Sequence, residues 1–137
     1  MHVAPYLNFQ GRCQEALEFY RASVGAEVTM LMHFKDAPEQ PPPGALPPGY
    51  GEKVMHSNVV IGNTRFMATD GGCSTAEGFR GFSMALSVRD DAEAKRCFDA
   101  LGQGGKVQMP LAKTFFSSSF GLLEDKFGVS WMVVVEA

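Results

Sequence analysis

The sequence predicts an α+β fold made of two like modules, each running strand, helix, strand, strand, strand. Three observations predict it. The first is an internal repeat: shifted by 79 residues, Phe19 falls on Phe98, Gly25 on Gly104, Val28 on Val107 and Met30 on Met109. Gly25-Ala-Glu-Val-Thr-Met30 thereby echoes Gly104-Gly-Lys-Val-Gln-Met109, each directly after a segment of helical spacing. The second is a later match at a shift of 66, which puts Gly62 on Gly128; a 13-residue insertion in the first half accounts for the difference. Such self-similarity reads as two copies of one supersecondary unit. The third is the uncharged run 129–135, rich in β-branched and aromatic residues and bounded by Gly128 and Glu136. It reads as a strand buried on much of both faces, which needs other strands beside it.

The elements follow in order. Residues 3–9 are short, apolar and β-prone, with Pro5 tolerated near a strand start. Beyond Gly11, the residues Cys13, Ala16, Leu17, Tyr20 and Val24 recur at the spacing of one helix face, with Arg12, Glu15, Glu18 and Arg21 turned to water. Gly25 is a natural helix stop. Strand character resumes over 28–34 and again over 53–61, where the Gly62-Asn63 turn leads into a returning strand at 64–69. Asp70-Gly71-Gly72 ends that hairpin, and a polar, Gly-rich connection leads to a strand at 82–88. Asp90 and Glu93 stand in capping-box relation before a helix that buries Ala94, Cys97, Phe98 and Leu101. Gly102, Gly104 and Gly105 stop it; strands are then expected at 107–111 and 114–120, before the last one.

The insertion is proline-rich: Pro38, Pro41, Pro42, Pro43, Pro47 and Pro48 are six of the chain's eight prolines. Without backbone donors and with φ fixed, the stretch is an extended loop, in the position of a lid or an interface arm. At 137 residues the chain reads as one domain, with module one at 1–70, a connection at 71–80 and module two at 81–137. Hydrophobic residues at 45% and charged residues at 20% are in the globular range. A net charge of −3 gives no electrostatic reason to expect nucleic acid or an anionic membrane as partner. No apolar run is long enough to span a bilayer. Cys13, Cys73 and Cys97 lack metal-type spacing and read as free thiols in a reducing cytoplasm.

A pair of βαβββ modules resembles the vicinal oxygen chelate superfamily, the glyoxalase/bleomycin resistance/dioxygenase fold. The sequence is similar in particular to its PhnB-like branch, often labelled demethylubiquinone 3-methyltransferase. The matching pieces are Tyr6-Leu-Asn-Phe9, Glu15-Ala-Leu-Glu-Phe-Tyr20, Val54-Met-His56, Gly104-Gly-Lys-Val-Gln-Met-Pro110 and Asp125-Lys-Phe-Gly-Val-Ser-Trp131. They run in family order along nearly the whole chain. The methyltransferase label finds no support in a glycine-rich strand-to-helix loop followed by an acidic residue, which the sequence lacks.

The resemblance implies a divalent metal held by His and Glu on the first strand of each module and on late strands. Here those positions fall among Ala4, Pro5 and Tyr6, at Ser83 or Met84, and near Met132. None is a usual ligand for such a cation, so no metal and no cofactor is expected. His2 stands near the terminus and His33 late in a strand, while His56 lies on a strand expected to contribute to the concave face. Its imidazole suits a hydrogen-bond partner or general base. Asp70 and Asp125 sit beside turns, as backbone-capping carboxylates do. Phe66, Met67, Phe116, Trp131 and Met132 suggest an apolar, partly aromatic cavity between curved sheets. Phe116 departs from the branch, where a Trp is common.

The expected ligand-binding set is Tyr6, His56, Asn58, Met67, Ser83, Phe116 and Trp131, with His56 the one catalytic candidate. The function expected is metal-free binding of a small, largely apolar or aromatic molecule. The alternative is an enzyme of the same fold, of lyase, dioxygenase or transferase type, with His56 as base or with a metal held by unexpected ligands; a third reading, demethylubiquinone methyl transfer, rests on the family label alone. The resemblance also implies a homodimer.

Overall fold

The computed structural model describes every residue except 41, 43, 45, 46, 72–77 and 137. It comprises two compact units, Met1–Thr75 and Ala76–Ala137. The first unit holds β1 (Tyr6–Asn8), α1 (Cys13–Val24), β2 (Glu27–His33), β3 (Val54–Ile61) and β4 (Thr64–Thr69). The second holds β5 (Met84–Val88), α2 (Asp91–Leu101), β6 (Lys106–Ala112), β7 (Phe120–Glu124) and β8 (Ser130–Val135). Each unit forms one four-stranded sheet, in the orders β1-β4-β3-β2 and β5-β8-β7-β6. The first strand of each runs parallel to the last, and the other pairs are antiparallel.

The predicted repeat is therefore a repeat of topology, and it extends to irregularities. The register of β2 on β3 shifts between Val28 and Met30, and that of β6 on β7 shifts between Val107 and Met109. Those two sites are equivalent under the 79-residue offset. Gly25 and Gly104, matched by the same offset, both adopt left-handed φ, at 71° and 75°. Only glycine takes that conformation without penalty, so the pairing has a backbone cause.

Each core lies between a helix and one sheet face. Cys13, Ala16, Leu17 and Tyr20 of α1 are buried as expected, but the next buried position is Ser23, while Val24 is half-buried. Helix α2 buries Ala94, Cys97, Phe98 and Leu101. Each large apolar side chain enclosed this way contributes about 1.5–3 kcal/mol. The last strand alternates: Val129, Trp131, Val133 and Val135 are buried, and Ser130, Met132 and Val134 only half-buried. The expectation of burial on much of both faces holds fully for one face alone.

One strand is displaced from its expected place. Residues 114–119 are not extended, and the strand is Phe120–Glu124. Thr114 Oγ1 accepts the N–H groups of Phe116 and Ser117 at 3.3 and 3.1 Å, while Ser117 Oγ donates to Val135 O at 2.7 Å. Hydroxyls that satisfy nearby backbone groups favour a turn over a ladder. Gly121 fits the shifted strand because a Cβ there would lie 2.7 Å from Phe98 Cε2 and 3.0 Å from Met109 O.

Of the proline-rich loop, positions 41, 43, 45 and 46 lie outside the described residues, as does Cys73. The loop's entry is tied down by Gln40, whose Nε2 donates to Phe34 O at 3.1 Å and Ala37 O at 2.9 Å. Its exit is a short 3-10 turn, Tyr50–Glu52, and Lys35 Nζ meets Glu52 Oε1 at 2.9 Å. No helix among the described residues is long and apolar enough to cross a membrane.

Candidate functional site

In register, Leu7, Ala68, Ser57 and Leu31 form one row across the first sheet, and Tyr6, Met67, Asn58 and Met30 the adjacent row. Paired residues share a face and successive residues alternate, so the rows face opposite sides. Leu7, Ala68 and Ser57 are buried beneath α1. In the other row Met67 and Asn58 are half-buried, and Tyr6 and Met30 are exposed. This open face carries the candidate site. His56 lies two residues from Asn58 on the same strand and pairs with Met32.

Three polar side chains connect on this face. The Tyr6 hydroxyl lies 3.4 Å from His56 Nδ1, and the two rings meet edge-on with centroids 5.8 Å apart. His56 Nε2 lies 3.2 Å from Asn58 Oδ1. A carbonyl oxygen only accepts, so Nε2 carries the proton. In a neutral imidazole Nδ1 is then bare and takes the Tyr6 hydroxyl proton. Partners on two strands thus favour the Nε2–H tautomer.

Beside the trio is a cavity of about 340 Å³ lined by Tyr6, Asn8, Phe34, Met55, Thr69 and Gly71. Asn8 Nδ2 donates to Gly71 O, and Thr69 Oγ1 donates to Met55 O at 2.6 Å. A Cβ at Gly71 would lie 2.8 Å from Phe34 Cζ, so the Phe34 ring occupies that space. The ring of Phe34 also meets Tyr50 at 5.6 Å, and the Tyr50 hydroxyl donates to Asp70 O at 2.7 Å. Burial, and then the charge of Asp70, push the Tyr50 phenol above its ordinary value and keep it a donor.

Asp70 underpins this end of the unit. Its Oδ1 accepts the N–H groups of Gly11 at 2.7 Å and Cys13 at 2.9 Å, and its Oδ2 accepts that of Val54 at 3.0 Å. Arg12 supplies no side-chain cap to α1. The start of α1 is therefore capped by a carboxylate from the far end of β4, which suits the positive end of a helix. Burial, and then the nearby Asp70 charge, push the Cys13 thiol up to about 12.

Asp125 plays a comparable part in the second unit. Its Oδ1 accepts from Phe127 and Val129 at 2.9 and 3.1 Å, and its Oδ2 accepts Trp131 Nε1 at 2.9 Å. Trp131 is 2% exposed and belongs to the core, as does Phe66 at 1%. Ser83 is exposed and precedes β5, and Met84 pairs with Trp131 on the buried row. The open-face row of the second sheet is Ala85, Met132, Leu122 and Met109. Phe116 is exposed and stacks edge-on with Phe115 and Phe120, at 5.1 and 5.0 Å. Of the expected set, Tyr6, His56, Asn58 and Met67 are brought together on the first sheet; in the second unit Ser83 precedes β5, Phe116 is exposed before β7 and Trp131 is buried on β8.

The sequence reading missed Asn8, Thr69, Met30, Met32 and Met55. Apart from Met1, every methionine (Met30, Met32, Met55, Met67, Met84, Met109 and Met132) lies on a strand. None of them is fully buried. Of the positions at which the resemblance implies a metal, Tyr6 pairs with Met67, Met84 with Trp131 and Met132 with Ala85; none of these side chains suits a hard or borderline divalent cation. Among the described residues no group of three or more His, Cys, Asp or Glu side chains could hold one.

The family model described as 3-demethylubiquinone-9 3-methyltransferase matches residues 1–134. The chain belongs to this PhnB-like family. It is 34% identical to Protein YjdN of Escherichia coli (strain K12) over 140 residues, 98% of this chain and 95% of that protein. Protein PA1353 from Pseudomonas aeruginosa has a crystal structure that superposes with a TM-score of 0.86 at 41% identity, covering 99% of this chain and 98% of that one. A PhnB protein from Bacillus cereus gives 0.81 at 26% identity, covering 98% and 99%. A glyoxylase/bleomycin resistance protein/dioxygenase domain from Frankia sp. EAN1pec gives 0.65 at 13% identity over 99% and 95%. That last likeness establishes the fold, which this PhnB-like chain shares with the glyoxalase/bleomycin resistance proteins.

Proposed function

We propose that this PhnB-like protein binds a small, largely apolar or aromatic molecule on the open face of its first sheet. The observation that carries the reading is the Tyr6–His56–Asn58 chain set among Met30, Met32 and Met67. Methionine is unbranched and polarisable, so it suits ligands of varied outline and aromatic edges. A few placed polar groups in an apolar surround are what orient a small ligand. Methyl transfer is not assigned, because both helix starts, where a nucleotide-type cofactor would dock, are filled. Asp70 holds that of α1, and Asp90 caps α2 through Glu93 N–H at 2.8 Å.

The test is mass spectrometry of small molecules released from protein purified gently from its native cells. We expect one compound enriched with the wild type and lost from His56→Ala. Nothing enriched above an unrelated control protein overturns the reading.

A second reading, an enzyme acting on a small organic substrate, draws on one observation. The Nδ1 lone pair of His56 is held by a hydroxyl, which a substrate could displace to present its own proton. Turnover of the recovered compound, abolished in His56→Gln, would favour it. Assembly belongs to the same proposal: a symmetric homodimer, supported by apolar side chains exposed on edge strands β2 and β6 (Val28, Met30, Val107 and Met109). A monomeric mass by light scattering at micromolar concentration would exclude it.

A further inference from the structure

The open face of the first sheet has a polarity that narrows the ligand. Asn58 Oδ1 is turned to His56 Nε2, and the donor half of that amide, Nδ2, has no hydrogen-bond partner among the described residues. The other end of the chain is spent, because the Tyr6 hydroxyl proton goes to Nδ1. In this arrangement His56 has no proton to spare: its only N–H is engaged by Asn58. The free polar capacity directed at a ligand is therefore a donor, beside the Met67 thioether that separates Tyr6 from Asn58 in the row. A half-buried amide N–H₂ against an apolar surface loses its water when a ligand covers it, and it then requires an acceptor.

The acceptor is uncharged. Tyr6, Met67, Asn58 and Met30 include no ionisable cation, and His56 and Met32 stand in the next position along the strands. The nearest guanidinium on this face, Arg65, pairs with Val60 and lies one step toward the hairpin turn. A carboxylate laid on Asn58 would be stripped of water without a cation to meet it.

We infer that the ligand is a neutral cyclic or aromatic carbonyl compound whose C=O oxygen accepts from Asn58 Nδ2 while its ring lies on Met67 and the Tyr6–His56 edge. The inference rests on the binding reading above and adds the chemical class. It also makes Asn58 the residue that determines specificity, with His56 and Tyr6 positioning it.

The test uses two probes of nearly one shape, 1-indanone and indane, titrated into full-length protein carrying ¹³C-methyl methionine. Binding is read at the Met67 methyl. We expect 1-indanone to bind about tenfold more tightly than indane, the worth of one neutral hydrogen bond in a dry setting. In Asn58→Asp, an isosteric change that replaces the donor by an acceptor, the preference for 1-indanone over indane should vanish or reverse. Equal affinities of the two probes for the wild type overturn the carbonyl assignment and leave the binding reading standing. A preference for 1-indanone that survives in Asn58→Asp overturns the role of Asn58. Silence at Met67, Met30 and Met32 with both probes overturns the binding reading itself.

Discussion

The two units share an order of strands, a bulge position and a left-handed glycine, yet they differ in where polar groups are placed. On the first sheet the open-face row reads Tyr6, Met67, Asn58, Met30; on the second it reads Ala85, Met132, Leu122, Met109. The methionines recur, and the hydrogen-bonding residues occur in the first row alone. The helices differ as well. The start of α2 is capped from within its own turn, by Asp90, and Glu93 reaches back to Arg89 N–H at 3.2 Å. The start of α1 is capped by Asp70, 57 residues from the Cys13 N–H it accepts. The lesson is that a duplicated fold repeats its backbone requirements more faithfully than its chemistry.

Substitutions can break this comparison, and the largest effect should come from Asp70. Asp70→Ala strands three buried or half-buried N–H groups, and we expect a loss of about 3–5 kcal/mol in urea unfolding. The accompanying rise in amide exchange should fall within residues 1–75 and spare 76–137. Next comes Asp125→Ala, which frees Trp131 Nε1 and two loop N–H groups. It should cost about 2–4 kcal/mol. Trp131 is the only tryptophan, so its emission reports this change directly. Asp90→Ala should cost about 1 kcal/mol, the usual worth of a local cap. Arg12→Ala, at the matching position of α1, should lie within about 0.5 kcal/mol of wild type, since its ion pair with Glu15 is exposed.

A separate effect, confined to high pH, belongs to the Cys13 thiol, whose pKa is raised from 9.0 to about 12 in the folded chain. A raised folded value gives stability that is complete below pH 9 and is lost as pH climbs toward 12. Cys13→Ala should therefore flatten the alkaline limb of a stability–pH curve relative to wild type. An unchanged limb would remove Cys13 as its cause.

These contrasts also explain what was legible in the sequence. The Asp90/Glu93 cap was readable because both partners lie within one turn. The Asp70 cap was not, because only tertiary folding brings residue 70 to residue 13; the sequence identified Asp70 as a capping carboxylate without its target. The repeat was readable from Gly25 and Gly104, whose φ values demand glycine. The strand expected at 114–120 was misplaced because the Thr114 and Ser117 hydroxyls take up the backbone locally, which a β-prone pair such as Phe115-Phe116 conceals. In the site, Tyr6, His56, Asn58 and Met67 were named, but their connection depends on register. Trp131 was named for its type, while its side of the sheet follows from alternation with Met132. The methionine lining had a readable signal, Met30-Leu-Met32 at strand period, that went unused.

The central claim is that a topology used twice offers a ligand site on its first copy. The most direct measurement assigns the seven strand methionine methyls by single substitutions and titrates the labelled protein with a set of small neutral aromatic fragments. Binding fragments should shift Met30, Met32, Met55 and Met67 at lower concentrations than Met109 and Met132. Fragments that shift Met109 and Met132 first, or all six alike, would contradict the claim.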